Sequence, residues 1–396
     1  MLKRVLFLTL MFILPAEVFL GRDIDLDSVY ISDTSDIYAK LINQKLDAYE
    51  KADSRPIASD VVFANWINGN EILYVRDFQS VSVIYVYSKD TGKSKEVYRI
   101  QGAAITMIID ADGAYAHIKY LQLTDASPVP ENHLLTISLR TYKTKDRRTN
   151  NMFMDFSLPA EGSSIIFESR QGISEEFTDT GLVRLLVPAS SYYKQIKGKG
   201  NPTIALFSPS RGNCLLMNGS GGIYKTLMLN GGSVNGVTSP AETFWLNNNT
   251  LMFRTGYTGN YGVAVEQLGG KRRTIVTGSL NTNICLSRKA GMAAFLNSQL
   301  IMMYNIKTNA MINTGLEGED VYFSPDAAFC ISLLQGNLFL TRYKTLLERK
   351  AQIAKVAATI LALYKEASAG GDLLNDYSKT YCAQKIKAYQ TFIDGK

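Results

Sequence analysis

The chain has 396 residues, 46% of them hydrophobic and 20% charged, which is a globular composition and excludes a disordered chain. The formal charge is +6, and residues 344–396 alone hold nine Lys/Arg against five Asp/Glu. The remainder is therefore near neutral, which argues against a nucleic-acid-binding protein.

Lys3-Arg4 precede Val5 to Leu14, ten residues without a charge, and Ala16 and Gly21 offer small residues for cleavage. This predicts a secretory signal over residues 1–21 and an exported chain, periplasmic or at the cell surface. A membrane anchor is the competing reading, but Pro15 and Glu17 interrupt the apolar run. No Cys lies near the cleavage site, which argues against a lipid anchor.

Residues 22–60 form an N-terminal extension. Asp23, Asp25 and Asp27 alternate with Ile24 and Leu26, and Ser28–Ser32 predicts a strand. A calcium-loop reading of the three aspartates fails, because Ser28 stands at the glycine position and Thr34 at the glutamate position. Ser35-Asp36 caps a predicted helix to about Tyr49, and residues 51–60 (KADSRPIASD) read as a linker.

From residue 61 to 343 an apolar strand, a polar turn and a second apolar strand recur. Seven candidate blades begin near Phe63, Met107, Met152, Ile204, Phe244, Ile284 and Val321. Their first-turn markers are Gly69, Gly113, Gly162, Gly212, Asn249, Gly291 and Ala327, separated by 44, 49, 50, 37, 42 and 36 residues. That scatter fits a β-propeller with variable loops better than a rigid solenoid; six or eight blades and a sandwich or barrel stay open as alternatives.

The clearest copy runs from Val321 to Tyr343. Val321-Tyr322-Phe323 is followed by Ser324-Pro325-Asp326, where Pro presets φ and Asp bonds nearby backbone. An apolar run to Leu334, a Gln335-Gly336-Asn337 turn and an alternating strand to Tyr343 complete it. The turn F-S-P-D-A resembles the F-S-P-D-G turn of periplasmic TolB-type propeller repeats, with Ala327 in place of the usual Gly. The resemblance implies a fold and carries no activity. This last blade shows only three strands, so a strand from elsewhere has to close the ring. The candidates are Val29–Ser32 and Ile57–Val62.

After Tyr343 the period changes. Leu346, Leu347, Ile353, Val356, Ile360, Leu363 and Tyr364 fall at helical spacing, Ala369-Gly370-Gly371-Asp372 breaks the pattern, and a second helix covers Leu373 to Ile393. Residues 344–396 thus form a helical hairpin, either clamped to the propeller or presenting an apolar stripe through Leu346, Ile353 and Ile360 to a partner.

Catalytic motifs are sparse. His117 and His133 are the two histidines, with no metal-ligand spacing, and neither HExxH nor GxSxG occurs. The glycine clusters at 198–200 and 218–222 lack the rest of a phosphate loop. Cys214, Cys285, Cys330 and Cys382 read as small buried hydrophobes, although an exported chain can pair them. No cofactor is implied. Two basic runs, Lys143, Lys145, Arg147, Arg148 and Lys271, Arg272, Arg273, read as solvated hairpin tips or as an anionic-partner face. Trp66 and Trp245 fall at similar points of blades one and five, which suggests a repeated packing role. The sequence therefore points to an all-β propeller, non-enzymatic and exported. It would bind proteins or act as a scaffold in a bacterial envelope. The alternative is an enzyme or sugar binder with a site at the central channel.

Overall fold

The computed structural model describes residues 54–78, 81–124, 127–149, 156–196, 203–220, 223–287, 291–325, 328–342, 350–369 and 376–394. The signal segment, the acidic alternation and Val29–Ser32 lie outside the described residues. In chain order, β1 (Ser54–Ala58) belongs to the last blade. Blade one is β2 (Val61–Trp66), β3 (Glu71–Phe78), β4 (Val81–Ser88) and β5 (Lys93–Ile100); blade two is β6 (Ala103–Ile109), β7 (Tyr115–Thr124), β8 (Ser127–Ser138) and β9 (Thr144–Arg148). Blade three is β10 (Phe156–Ser157), β11 (Ser164–Ser169), β12 (Gly172–Phe177) and β13 (Val183–Pro188), followed by the short helix α1 (Tyr193–Ile196). Blade four is β14 (Ile204–Phe207), β15 (Cys214–Ser220) and β16 (Ile223–Met228); blade five is β17 (Thr243–Asn247), β18 (Thr250–Tyr257), β19 (Asn260–Gln267) and β20 (Arg272–Ser279). Blade six is β21 (Cys285–Ser287), β22 (Met292–Asn297), β23 (Leu300–Asn305) and β24 (Met311–Glu317); blade seven is β25 (Asp320–Phe323), β26 (Phe329–Leu334), β27 (Asn337–Arg342) and β1. The chain is a seven-bladed β-propeller, each blade an antiparallel sheet.

Ring closure is made by β1, which pairs with β27 through Ser54↔Thr341, Arg55↔Leu340 and Pro56↔Phe339. The stretch Ile57–Val62 is therefore divided. Ile57 and Ala58 close blade seven, while Val61 and Val62 begin the innermost strand of blade one. Pro56 is tolerated because β1 is an edge strand.

The second and third strands of each blade are buried on both faces, since blades stack on either side. In β4, Val83, Ile84, Val86 and Tyr87 are all buried. Outer strands are half-solvated and lack apolar runs: β5 exposes Lys93 to Glu96. Lys145, Arg147 and Arg148 lie on β9 and Arg272 and Arg273 on β20, while Lys143 and Lys271 sit exposed in the turns before them. Blade four has three paired strands, and residues 232–237 run along the edge of β16: Met228 N donates to Gly232 O (3.1 Å) and Tyr224 N to Val237 O (3.0 Å). Val234 and Val237 are buried there.

The sequence turns share one geometry. Asp110, Ser208 and Ser324 each end an innermost strand, and each backbone N donates to the carbonyl five residues on, at Tyr115, Asn213 and Phe329. In blades four and seven the serine Oγ also accepts that residue's N–H, at 3.0 Å each. The left-handed position of the blade-four turn is Arg211 (φ 59°), not Gly212. Trp66 Nε1 donates to Tyr322 O (3.2 Å) and Trp245 Nε1 to Leu206 O (3.0 Å), so each tryptophan ties its innermost strand to that of the preceding blade.

The tail forms α2 (Lys350–Ala369) and α3 (Asp376–Ile393), which pack together and both lie against β24. Ile353, Val356, Ile360, Tyr364, Tyr389 and Phe392 join one core with blades five to seven. Gly315 makes the close approach: a Cβ there would meet Ile353 Cγ2 at 2.3 Å and the Phe392 ring at 2.6 Å. Lys385 is fully buried, with Nζ 3.1 Å from Glu317 Oε2 and donating to Gln299 Oε1 at 2.8 Å. Tyr381 donates to the same Oε1 (2.9 Å), and Tyr389 to Glu317 Oε1. Ser298 and Gln299 form the β22–β23 turn with φ of 49° and 70°, a conformation that side chains other than Gly rarely take.

Lys385→Ala should cost about 3–5 kcal/mol by leaving Glu317 buried and uncompensated. Thermal unfolding will show a lowered midpoint, and limited proteolysis will cut first at the hairpin. Gly315→Ala should release the hairpin in the same assay while the strand circular-dichroism signal persists.

Candidate functional site

Successive blades repeat one strand direction, so residues just before each innermost strand share one face of the ring. Blades five, six and seven bring Glu242, Asn281, Thr282, Asn283, Glu319 and Asp320 together there. Glu242 accepts from Thr282 Oγ1 (2.7 Å) and pairs with Arg254 Nη1 (2.6 Å). Arg254 lies over the Tyr261 ring, 4.5 Å from its centroid, and donates to Thr238 O (3.2 Å). Asn283 Nδ2 donates to Asp320 Oδ1, Asn281 Nδ2 to Glu319 O (3.3 Å), and the Gln335 N–H to Glu319 Oε1 (3.1 Å).

Burial, then the nearby Glu319 and Glu242 charges, push the Asp320 carboxyl up to about 8. Asp320 thus stays largely protonated at neutral pH, able to donate a hydrogen bond or a proton at the channel mouth. Burial and then Asp320 also push the Tyr322 hydroxyl up. Blade one has an acid–arginine pair one residue out of that register, Asp60 with Arg76 at 3.1 Å, Arg76 standing opposite Val61. No sequence motif marks this cluster, because its members are spread over blades and meet only in the ring.

The basic residues are not one surface. The run at 143–148 lies on blade two and the run at 271–273 on blade five, three blades apart. Lys143, Lys145 and Lys271 are exposed. Arg147 forks onto Glu176 of blade three (2.9 and 3.0 Å), and Arg148 pairs with Glu131 (2.9 Å). Arg272 donates to Glu266 (2.8 Å) and to Asn235 O (2.6 Å); Arg273 donates to Asn309 Oδ1 (2.7 Å) and to the Tyr304 hydroxyl. These arginines tie neighbouring strands and blades. Leu346 is outside the described residues. Ile353 and Ile360 are buried, at 0% and 1% exposure, so they are the clamp and not an exposed stripe.

His117 is buried between blades two and three, Nδ1 3.2 Å from Thr136 Oγ1 and its ring edge-on to Phe156. Burial and then Arg147 lower it to about 4, so it is neutral at neutral pH. His133 stacks on Tyr120 and sits 3.3 Å from Asp146 Oδ1. All four cysteines are free; burial pushes the Cys285 thiol up to about 11 and Cys330 to about 12. Among the described residues no group of three or more His, Cys, Asp or Glu is placed to hold a metal ion, and no helix is long and apolar enough to cross a membrane.

The outer edge of blade three went unnoticed in the sequence. Leu182 is 68% exposed opposite Phe177, and on β13 Val183 and Leu185, 59% and 44% exposed, share one face. On the opposite face of β13, Arg184 Nη2 donates to the fully buried Glu175 (2.5 Å). Arg211 of blade four forks onto the same carboxylate (2.9 and 3.1 Å), and Ser164 Oγ donates to it at 2.6 Å. Burial alone would raise Glu175, but the bonds from Arg211, Ser164 and Arg184 outweigh it and pull it down to about 2.

No family model and no curated protein matches the sequence. Solved propellers are similar in fold. A chain of the mitotic checkpoint complex is 12% identical, with 71% of this chain and 86% of that chain covered and a TM-score of 0.48. Oligogalacturonate lyase from Vibrio parahaemolyticus is 8% identical over 73% and 93%, TM-score 0.48. TolB from Acinetobacter baumannii is 15% identical over 70% of this chain and 65% of that chain, TM-score 0.40. The likeness is one of fold; the seven-bladed arrangement rests on the strand pairing.

Asp320 binds its proton more tightly folded than unfolded, so stability falls as pH rises from about 4 to about 8. Asp320→Asn should remove that slope in denaturant titrations and leave the variant the more stable at pH 8. Glu175 is the opposite case: its contribution is present above about pH 4.5 and lost towards pH 2. Glu175→Gln should therefore lower the thermal midpoint at pH 7, and the gap to wild type should close in scans towards pH 2.

Proposed function

We propose that this chain is a non-enzymatic, exported β-propeller that binds a protein partner in the bacterial cell envelope. The observation that carries this reading is the apolar edge of blade three. Val183 and Leu185, exposed on one face of β13, form an apolar strip of the kind that marks protein interaction. The Lys3-Arg4 signal segment supports export. The arginines of the basic strands and the apolar face of the hairpin are engaged within the molecule, whereas Val183 and Leu185 stay exposed on blade three.

A second reading is favoured by one observation. Asp320, titrating near 8 beside Glu242 and Asn283, suits a small-ligand or sugar site, or an acid catalyst, at the channel mouth. A thermal-shift screen of oligosaccharides separates the two. A shift that Asp320→Asn abolishes supports the channel site.

The partner reading is tested by crosslinked pull-down from an envelope fraction. Wild type should retain a partner that Val183→Lys with Leu185→Lys loses, with unfolding midpoints unchanged within about 0.5 kcal/mol, as for surface substitutions. Equal recovery by wild type and variant would sink this reading.

A further inference from the structure

The edge of β13 differs from the other blade edges among the described residues. On β5, Lys93, Lys95 and Arg99 supply charge, and on β9 Lys145 and Arg148 do. The edge of β16 is covered by residues 232–237, β24 is covered by the hairpin, β20 opens with Arg272-Arg273, and β1 carries Pro56. Charge, proline and cover are the usual devices that keep an edge from pairing. On β13 the exposed face is Val183 and Leu185.

The backbone of that edge is open as well. Phe177 N donates to Leu182 O, which sets the alternation of the β12–β13 pair. Counting along the register Glu176↔Val183, Glu175↔Arg184, Ser174↔Leu185, the Arg184 N–H and C=O face β12. Those of Val183 and Leu185 face outward. An added strand would bond the two residues whose side chains are apolar and exposed.

Charge decides which strand fits. Arg184 shares the carboxylate of Glu175 with Arg211, and its side chain stays 52% exposed, open to a second acid. In antiparallel addition, residues directly opposite share a face. The fitting strand therefore places apolar residues opposite Val183 and Leu185 and an acid between them, opposite Arg184. A second copy of β13 fits poorly: the register that matches both apolar residues sets Arg184 against its own copy, and like charges directly opposite repel.

We infer that β13 accepts an extended partner segment of the pattern apolar–acidic–apolar as an added antiparallel strand of blade three. This deepens the partner reading above and rests on it. Backbone bonds at Val183 and Leu185 supply affinity, and the Arg184–acid pair supplies selection.

The test is hydrogen exchange on the full chain with two synthetic peptides, KTIDLTK and its twin KTIKLTK. At about 1 mM the first should slow exchange of the Val183 and Leu185 amides at least about tenfold, while the second leaves them fast. Arg184→Ala should level the two peptides. Protection by neither peptide, or by both equally, overturns the inference. So does protection present without peptide: released by Asp25→Lys, it identifies the chain's own Ile24-Asp25-Leu26 as occupant, and growing with protein concentration, it identifies a second copy. If the pull-down loses its partner with Val183→Lys and Leu185→Lys while the peptides give no protection, the patch binds a partner and strand addition is wrong. If both peptides discriminate but no partner is recovered, the edge is real and the envelope partner is wrong.

Discussion

The pairing of β1 with β27 is the constraint on which the ring depends. Seven sheets stacked side by side leave two ends, and each end would expose an apolar face and an unpaired edge. Setting a strand from before residue 60 onto the last three strands joins the two termini of the propeller in one sheet. Trp66 then ties blade one to blade seven from the inside, just as Trp245 ties blade five to blade four. The same core therefore runs across the seam as across an ordinary joint: Ile331, Leu333, Leu338 and Leu340 of blade seven pack with Trp66, Ile72 and Tyr74 of blade one.

The joints are not alike. Blades five to seven and the hairpin share one continuous apolar cluster. Between blades two and three the cluster shrinks to Leu134, Phe156, Ile165 and Phe167. There the polar contacts take over: Arg147 with Glu176 and Tyr115 with Asp179, beside neutral His117 edge-on to Phe156. A joint held by ion pairs is more sensitive to salt and pH than one held by apolar burial. The exposed edge of β13 belongs to the blade on this joint.

Charge in this chain is mostly spent on assembly. Arg147, Arg211 and Lys385 each carry a carboxylate into a half-buried or buried setting and bridge elements distant in sequence, while Arg254 does so within its own blade. What remains open is specific: a protonated Asp320 at the channel mouth, and the Arg184 edge, where two arginines share one acid. The hairpin reaches the channel-mouth face of the ring. Gln384 of α3 donates to Gly259 O (3.1 Å), and Gln299, which Lys385 and Tyr381 hold by its side chain, accepts the Gly318 N–H at its backbone carbonyl (2.7 Å).

Local pattern determined much of the fold. Apolar runs such as Ile204-Ala205-Leu206-Phe207, punctuated by Ser-Pro and Asn-Gly turns, announced strands at propeller spacing, because turn chemistry and double-sided burial are written in adjacent residues. Helical spacing from Ile353 to Tyr364 announced the hairpin for the same reason. Outer strands stayed hidden: Thr144–Arg148 and Arg272–Ser279 are half-solvated, and their polar residues look like loops. The functional surfaces were hidden more deeply. Asp320, Glu242 and Asn283 are separated by whole blades, and only ring closure brings them within bonding distance. The exposure of Val183 and Leu185 was hidden too, because only the sheet order, in which β13 is the last strand of blade three among the described residues, reveals it. Sequence alone determined the inner strands and the helices, since those depend on near neighbours. Which faces are covered, which charges meet and which edge stays open depend on contacts across the ring, and only the tertiary structure decided them.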